Sequence, residues 1–350
     1  MFLSRLAESV EPYTAGEQIG EGYVKLNTNE NPYPPSPRAA KTLRESDASR
    51  LRLYPQPNAD GLRRAIAQAE GVDEENVFCA NGSDEALALC FPAFFDEDGK
   101  GACFADVTYS FYPVFASFFR IPTVVVPVKE DYSIDLAAMA KADCGGYFIA
   151  NPNAPTSLGI GRAQIEAFVA SVDKLVILDE AYMDFFGESC AALTKRYANL
   201  LVVKTFSKSY SLAGMRCGYA IGQSGLIEGL RRMRDCFNSY PVDAVCQAVC
   251  AAAVSDRSYH DETVRLVVSE RERLKTALRS RGLWVADSAS NFLFVRFSET
   301  GGKYIYESLK AKKILVRFWD KPKLSEFCRI TVGTPSQNEA LLEALDTILR

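Results

Sequence analysis

Three polar clusters, each directly after a short apolar run, carry most of the chemistry in this chain. Asn151-Pro152-Asn153 follows YFIA (Tyr147 to Ala150). Asp179-Glu180-Ala181-Tyr182 follows LVIL (Leu175 to Leu178), and Thr205-Phe206-Ser207-Lys208 follows LVV (Leu201 to Val203). A strand-end lysine becomes a nucleophile when desolvation or a nearby cation lowers its pKa, freeing the amine to attack a carbonyl. A carboxylate such as Asp179 can keep a heterocyclic nitrogen protonated, so that the charged ring takes up carbanion electrons. Tyr182 and Asn153 can hydrogen-bond an oxygen on such a ring, and Tyr109 can stack on its face. Asn81-Gly82-Ser83-Asp84 precedes an apolar-periodic segment and is expected to open a helix, whose first N–H groups bind phosphate. Arg216, eight residues after Lys208, offers a charge-assisted clamp, and Thr205 and Ser207 offer hydroxyls.

Each feature alone has an ordinary explanation. A strand-end lysine is usually solvated, NGSD is a plain N-cap with a first-turn acid, and NPNAP is a turn. Their joint occurrence in this order favours one shared site.

The three apolar runs are short enough for strands buried on both faces. Their spacing suits βαβ units of ~30 residues with right-handed crossovers, hence a parallel sheet flanked by helices. Ligands bind beyond the carboxyl ends of such strands, so Asn153, Asp179, Tyr182, Ser207 and Lys208 are expected to converge. Helices are expected over 61–70 and 85–95, then over 244–254, 263–280 and 339–350. Strand-like pieces lie within 284–297 and 314–329. The fold expected is α/β: a large domain (37–240) with a mostly parallel central sheet between helices, and a smaller α+β domain (241–350). Residues 1–36 read as an irregular arm, free to pack on the small domain, because NTNENPYPPSP holds too many prolines for a helix.

The 350 residues carry a net charge of −4 and 48% hydrophobic residues, which argues against disorder and against a broad nucleic-acid surface. Ten cysteines without a C-x-x-C pair read as reduced thiols of a cytosolic protein. Cys246 and Cys250, one helical turn apart, read as buried small residues and not as a metal site. His260 is the single histidine, which speaks against zinc sites and Ser-His-Asp machinery. No metal is expected. MFLSRLAESVEPY lacks the apolar core of a signal peptide, and no apolar run reaches membrane-spanning length. A cytoplasmic protein without membrane or nucleic-acid partners is expected.

A reactive lysine, a carboxylate for a pyridine nitrogen and donors for a phosphate are together what pyridoxal 5'-phosphate (PLP) requires of a protein. At this point the chain resembles the fold-type I PLP-dependent aminotransferases. TFSKSYSLAGMRCGY (205–219) is similar to that family's Schiff-base segment, and DEAYMDF (179–185) to its ring-binding segment. YPQPN (54–58) resembles the segment whose tyrosine reaches the partner subunit. LNTNENPYPPSP (26–37) and RITVGTPSQNEALLEAL (329–345) resemble the signatures of the histidinol-phosphate branch.

Carried over by position, the resemblance implies that Lys208 forms the imine with PLP, Asp179 pairs the pyridine nitrogen, Tyr182 bonds the ring oxygen and Tyr109 stacks. Gly82, Ser83, Asp84, Thr205, Ser207 and Arg216 surround the phosphate end, with Tyr54 arriving from the other subunit of a homodimer. Arg329 receives the carboxylate of glutamate, and Tyr13, Asn27 and Arg317 are candidates for a substrate phosphate. The implied reaction moves an amino group between glutamate and an oxo-phosphate, imidazole acetol phosphate, in histidine biosynthesis. Two positions depart from the pattern: Ala154 stands where the family has its ring-oxygen asparagine, and Ser157 replaces a glycine. Either Asn153 takes over that bond through a small loop shift, or Tyr182 acts alone; Asn153 is favoured. The same scaffold also hosts aromatic-amino-acid aminotransferases and threonine-phosphate decarboxylases. A non-catalytic PLP-binding regulatory module would need an added DNA-binding domain, for which the segment before Asn27 leaves no room.

Overall fold

The computed structural model describes residues 2–350. The apolar runs pair in a seven-stranded sheet. Its order is Val77–Ala80, Gly218–Ile221, Leu200–Thr205, Leu175–Asp179, Gly146–Ala150, Ala102–Ala105, Thr123–Val126. All neighbours are parallel except Gly218–Ile221, which runs antiparallel to both strands beside it. The runs lack polar alternation because both faces of the sheet are covered. Tyr147, Ile149, Val176, Leu178, Leu200 and Val202 face one buried cluster. Phe148, Ile177, Leu201 and Val203 face another, where Phe91 stacks on Phe148 at 4.4 Å.

The expected helices form, several starting earlier than their apolar periodicity. The helix expected from Thr263 spans Arg257–Arg279, and the closing helix spans Pro335–Ile348. Their first turns are polar and carry no periodic signal. The closing helix starts at a capping box in which Thr334 and Gln337 satisfy each other's backbone N–H.

The boundary expected at residue 241 cuts through a packed cluster. Helix Ala244–Val254 buries Cys246, Val249 and Cys250 among Leu62, Ile66 and Tyr219 of the large domain. We therefore place the boundary after this helix. Beyond it, Leu274 and Leu278 of the long helix pack with Leu293, Val295, Ile330 and Leu341. These line an antiparallel sheet ordered Arg317–Phe318, Phe327–Thr331, Phe292–Arg296, Trp284–Val285.

The arm has a fixed course. Val24–Lys25 pairs in parallel with Ile314–Leu315, and Leu26 is buried in the small-domain cluster. The Leu26 carbonyl accepts from the Thr331 N–H at 2.9 Å, and the Asn29 carbonyl accepts from Asn291 Nδ2 at 2.9 Å. These bonds hold the following residues over the carboxyl ends of the large-domain strands.

Candidate active site

Strand Leu175–Asp179 ends in a carboxylate that is 6% exposed. Asp179 Oδ2 accepts from the Tyr112 hydroxyl at 3.0 Å, and Oδ1 accepts from the Ala181 N–H at 3.1 Å. Burial pushes its pKa up to about 6, against the lowering effect of these donors. A buried acid in this state is well placed to meet a cationic group.

Lys208 follows the neighbouring strand Leu200–Thr205. Its Nζ donates to the Thr28 carbonyl at 3.1 Å and lies 5.7 Å from the centre of the Tyr182 ring. Tyr182 accepts from Asn29 Nδ2 at 2.9 Å, which leaves its hydroxyl proton free to donate elsewhere. Lys208, Asp179 and Tyr182 line one cavity of about 560 Å³.

One end of the cavity combines a helix start with an arginine. Helix Gly82–Phe94 opens there with Ser83 and Asp84 on the wall. Gly82 has φ +79°, and a Cβ on it would stand 3.0 Å from Arg216 Nη2. Only glycine leaves that cradle open. At Gly218 a Cβ would lie 2.3 Å from the Ser83 nitrogen, so the first strand residue after Arg216 is pressed against the helix start. Arg216 points Nη2 at Asp84 Oδ2 (3.4 Å), and Tyr109 donates to Asp84 Oδ1 at 2.6 Å. Ser207 Oγ lies 3.5 Å from Arg216 Nη1, while Thr205 bonds the Cys217 carbonyl and the Ser207 N–H.

The opposite end holds two more arginines. Arg329 Nη2 donates to the Asn27 carbonyl at 2.9 Å, and its guanidinium lies between Phe292 and Trp319. Its buried Nε has no partner among the described residues. Arg317 donates to the carbonyls of Thr14 and Ala15 at 2.6 and 3.1 Å. Tyr13 stacks on Phe111 at 4.2 Å, and Asn27 donates to the Glu17 carbonyl at 2.9 Å. All four residues line the cavity.

Two sequence-derived candidates lie elsewhere. Asn153 turns away from the cavity: its Nδ2 donates to the Val107 carbonyl and Thr156 Oγ1, and its Oδ1 accepts from Thr108. With its amide fully used, Asn153 does not replace the missing asparagine, and Ala154 presents only a methyl there. Asn29 instead supplies the amide beside Tyr182. Tyr54 does not line its own chain's cavity; it is 83% exposed and stacks on Tyr240 at 4.7 Å.

The structure adds residues that the motifs did not suggest. Tyr112 lies one helical turn beyond Tyr109. Beneath the lysine loop, Asp184 is a hub: its Oδ2 accepts from Ser209 Oγ at 2.5 Å and faces His260 Nε2 at 3.4 Å, and its Oδ1 faces Lys204 Nζ at 3.5 Å. Lys204 also pairs with Glu70 at 2.8 Å. Burial would raise the Asp184 pKa, but Lys204 and His260 override it and hold the carboxyl far below the usual range. Ser209 follows Lys208, so Asp184 anchors the backbone that carries Lys208.

A lysine and a buried carboxylate facing one cavity, with a helix start and an arginine at its end, are what a PLP-type site asks of an α/β scaffold. The model of the family described as aminotransferase class I and II matches residues 21–345, and the chain belongs to that family. It is 44% identical over 352 residues to histidinol-phosphate aminotransferase of Brachyspira hyodysenteriae, covering 100% of this chain and 99% of the relative. It is 45% identical to the Chromohalobacter salexigens enzyme of that name, again over 100% and 99% of the two chains. Among solved structures, histidinol-phosphate aminotransferase of Sinorhizobium meliloti in complex with pyridoxal-5'-phosphate matches with TM-score 0.88 at 23% identity, covering 100% and 98%. L-threonine-O-3-phosphate decarboxylase of Porphyromonas gingivalis matches with TM-score 0.81 at 22% identity, covering 93% and 99%. These two likenesses establish the shared fold.

The two buried aspartates should titrate with opposite sign. Asp179 has a raised folded pKa, so folded protein binds the extra proton between about pH 4 and 6, and stability falls as pH rises through that window. Cofactor-free wild type, compared with Asp179→Asn by urea unfolding, should lose relative stability across that range; a flat difference would contradict it. Asp184 has a depressed folded pKa, so its contribution is present above the ordinary aspartate pKa and shrinks as pH falls below it. Asp184→Asn should cost about 3–5 kcal/mol at pH 7.5, as expected when a buried pair is broken, and less at pH 3.5.

Proposed function

We propose that this protein transfers an amino group between histidinol phosphate and 2-oxoglutarate, with PLP as its cofactor, in histidine biosynthesis. The observation that carries this reading is a single cavity holding Lys208 and Asp179 together, with Arg216 at one end and Arg317 and Arg329 at the other. The 44–45% identity to named histidinol-phosphate aminotransferases over the full chain supports the substrate.

Bound PLP supplies an aldehyde for an amine and a cationic ring that takes up electrons from the substrate carbon. The chain's residues hold and direct it. Asp179 would keep a proton on the ring nitrogen, Tyr182 would donate to the ring oxygen, and Tyr109 would cover one face. The N–H groups of Gly82 and Ser83, with Ser207 and Arg216, receive the phosphate. Lys208 would supply the amine for the cofactor's aldehyde, and its Nζ is the group that would hold or move a proton at the substrate carbon. Its bond to the Thr28 carbonyl keeps the amine in the cavity. Arg329 receives the carboxylate of glutamate; Arg317 and Tyr13 receive the phosphate of the other substrate. One site can serve both anions because the guanidinium fork matches either.

The enzyme is read as a cytoplasmic homodimer. No helix among the described residues is long and apolar enough to cross a membrane. Leu51, Leu53, Tyr54, Phe237 and Tyr240 leave apolar side chains exposed, which suits coverage by a second copy and a Tyr54 that reaches the neighbouring site.

Purified enzyme should turn over histidinol phosphate with 2-oxoglutarate at a kcat/KM roughly 100-fold or more above that for phenylalanine, because phenylalanine brings no phosphate to Arg317 and Tyr13. Equal rates would favour an aromatic-amino-acid aminotransferase. Carbon dioxide release from threonine phosphate would favour the decarboxylase.

A further inference from the structure

Cys246 and Cys250 lie one turn apart on helix Ala244–Val254, on the face packed against the central sheet. Cys217 joins them from the residue before strand Gly218–Ile221. The three sulfurs lie within 4.8 Å of one another and all three residues are buried. The Cys246 and Cys250 sulfurs are 3.9 Å apart. With metal–sulfur bonds of ~2.3 Å, sulfurs sharing one ion stand about 3.7–4.0 Å apart. The helical pair already has that spacing, and the third sulfur lies within an ångström or so of it.

The chemistry of the donors narrows the ligand. The cluster is all sulfur, from two different elements, and the Met215 carbonyl lies 3.2 Å from Cys246 Sγ. The nearby acid Asp243 is already engaged, accepting from the Cys246 N–H at 2.8 Å as the helix cap. Thiolate sets select soft or borderline ions such as monovalent copper and zinc over calcium or magnesium. Three sulfurs and one carbonyl oxygen would complete a four-coordinate zinc shell. Three thiolates and a divalent ion leave a net charge of −1.

We propose that Cys217, Cys246 and Cys250 form a binding site for one thiophilic metal ion of the zinc or monovalent-copper class, between the central sheet and helix Ala244–Val254. On binding, each thiol gives its proton to solvent as its sulfur joins the metal, and nothing is oxidised or reduced. The site is separate from the PLP cavity, since none of the three cysteines lines it. Its occupancy would tie the helix to the strand that follows the phosphate-binding arginine.

The test uses holoenzyme kept reduced, stripped with a chelator, incubated with zinc(II) and passed through gel filtration. Metal analysis should find one zinc per chain, and X-ray absorption at the zinc edge should show three sulfurs at ~2.3 Å. Cys246→Ser and Cys250→Ser should each weaken retention at least 10-fold, while Cys236→Ser, at an exposed cysteine, leaves it unchanged. Retention of neither zinc(II) nor, in a parallel incubation, copper(I), or a first shell of only nitrogen and oxygen, would overturn the proposal. The absorption measurement needs only wild-type protein, so it decides the matter even where a serine variant does not fold.

Discussion

Everything at this site depends on keeping one carboxylate ionisable in a place from which water is nearly excluded. Asp179 ends a strand covered on both faces, and burial alone would neutralise it. The fold meets that cost with two donors, the Tyr112 hydroxyl and the Ala181 N–H, and leaves the rest to a cation arriving in the cavity. A cofactor ring with a protonated nitrogen is such a cation. In the function proposed above, Asp179 is the group that would pair with it.

The lysine is governed by a second buried charge system. Lys204 and Lys208 belong to the same short segment but have different tasks. Lys204 is locked between Glu70 and Asp184, away from the cavity, whereas Lys208 has a single backbone carbonyl from the arm as its partner. Asp184 links the two by bonding Ser209. The arm is part of this arrangement: through Leu26 and Asn29 it is fixed to the small domain, and through Thr28 and Asn29 it touches Lys208 and Tyr182. The active site is thus a junction of both domains.

Much of this was legible in the sequence because strands buried on both faces leave unbroken apolar runs, and the polar residues after them fall at the strand ends. Lys208, Asp179 and Tyr182 were readable as candidates for that reason, and Arg216 by its spacing from Lys208. Asn153 was misjudged because its partners, Val107 and Thr108, come from a distant loop that no local pattern connects to it. Tyr112 and Asn29 act only through contacts made by folding. Asp184, Lys204 and Glu70 look like ordinary solvated charges until burial brings them together. Helix Ala244–Val254 packs its apolar face against the large domain, and composition does not say which neighbour an apolar face will choose.

The most direct test of the central claim is chemical trapping. Purified holoenzyme treated with borohydride and digested should yield a pyridoxyl-modified peptide carrying Lys208, at close to one modification per chain, with Lys204 unmodified. Modification at another lysine, or none at all, would contradict the assignment of Lys208 as the attaching amine.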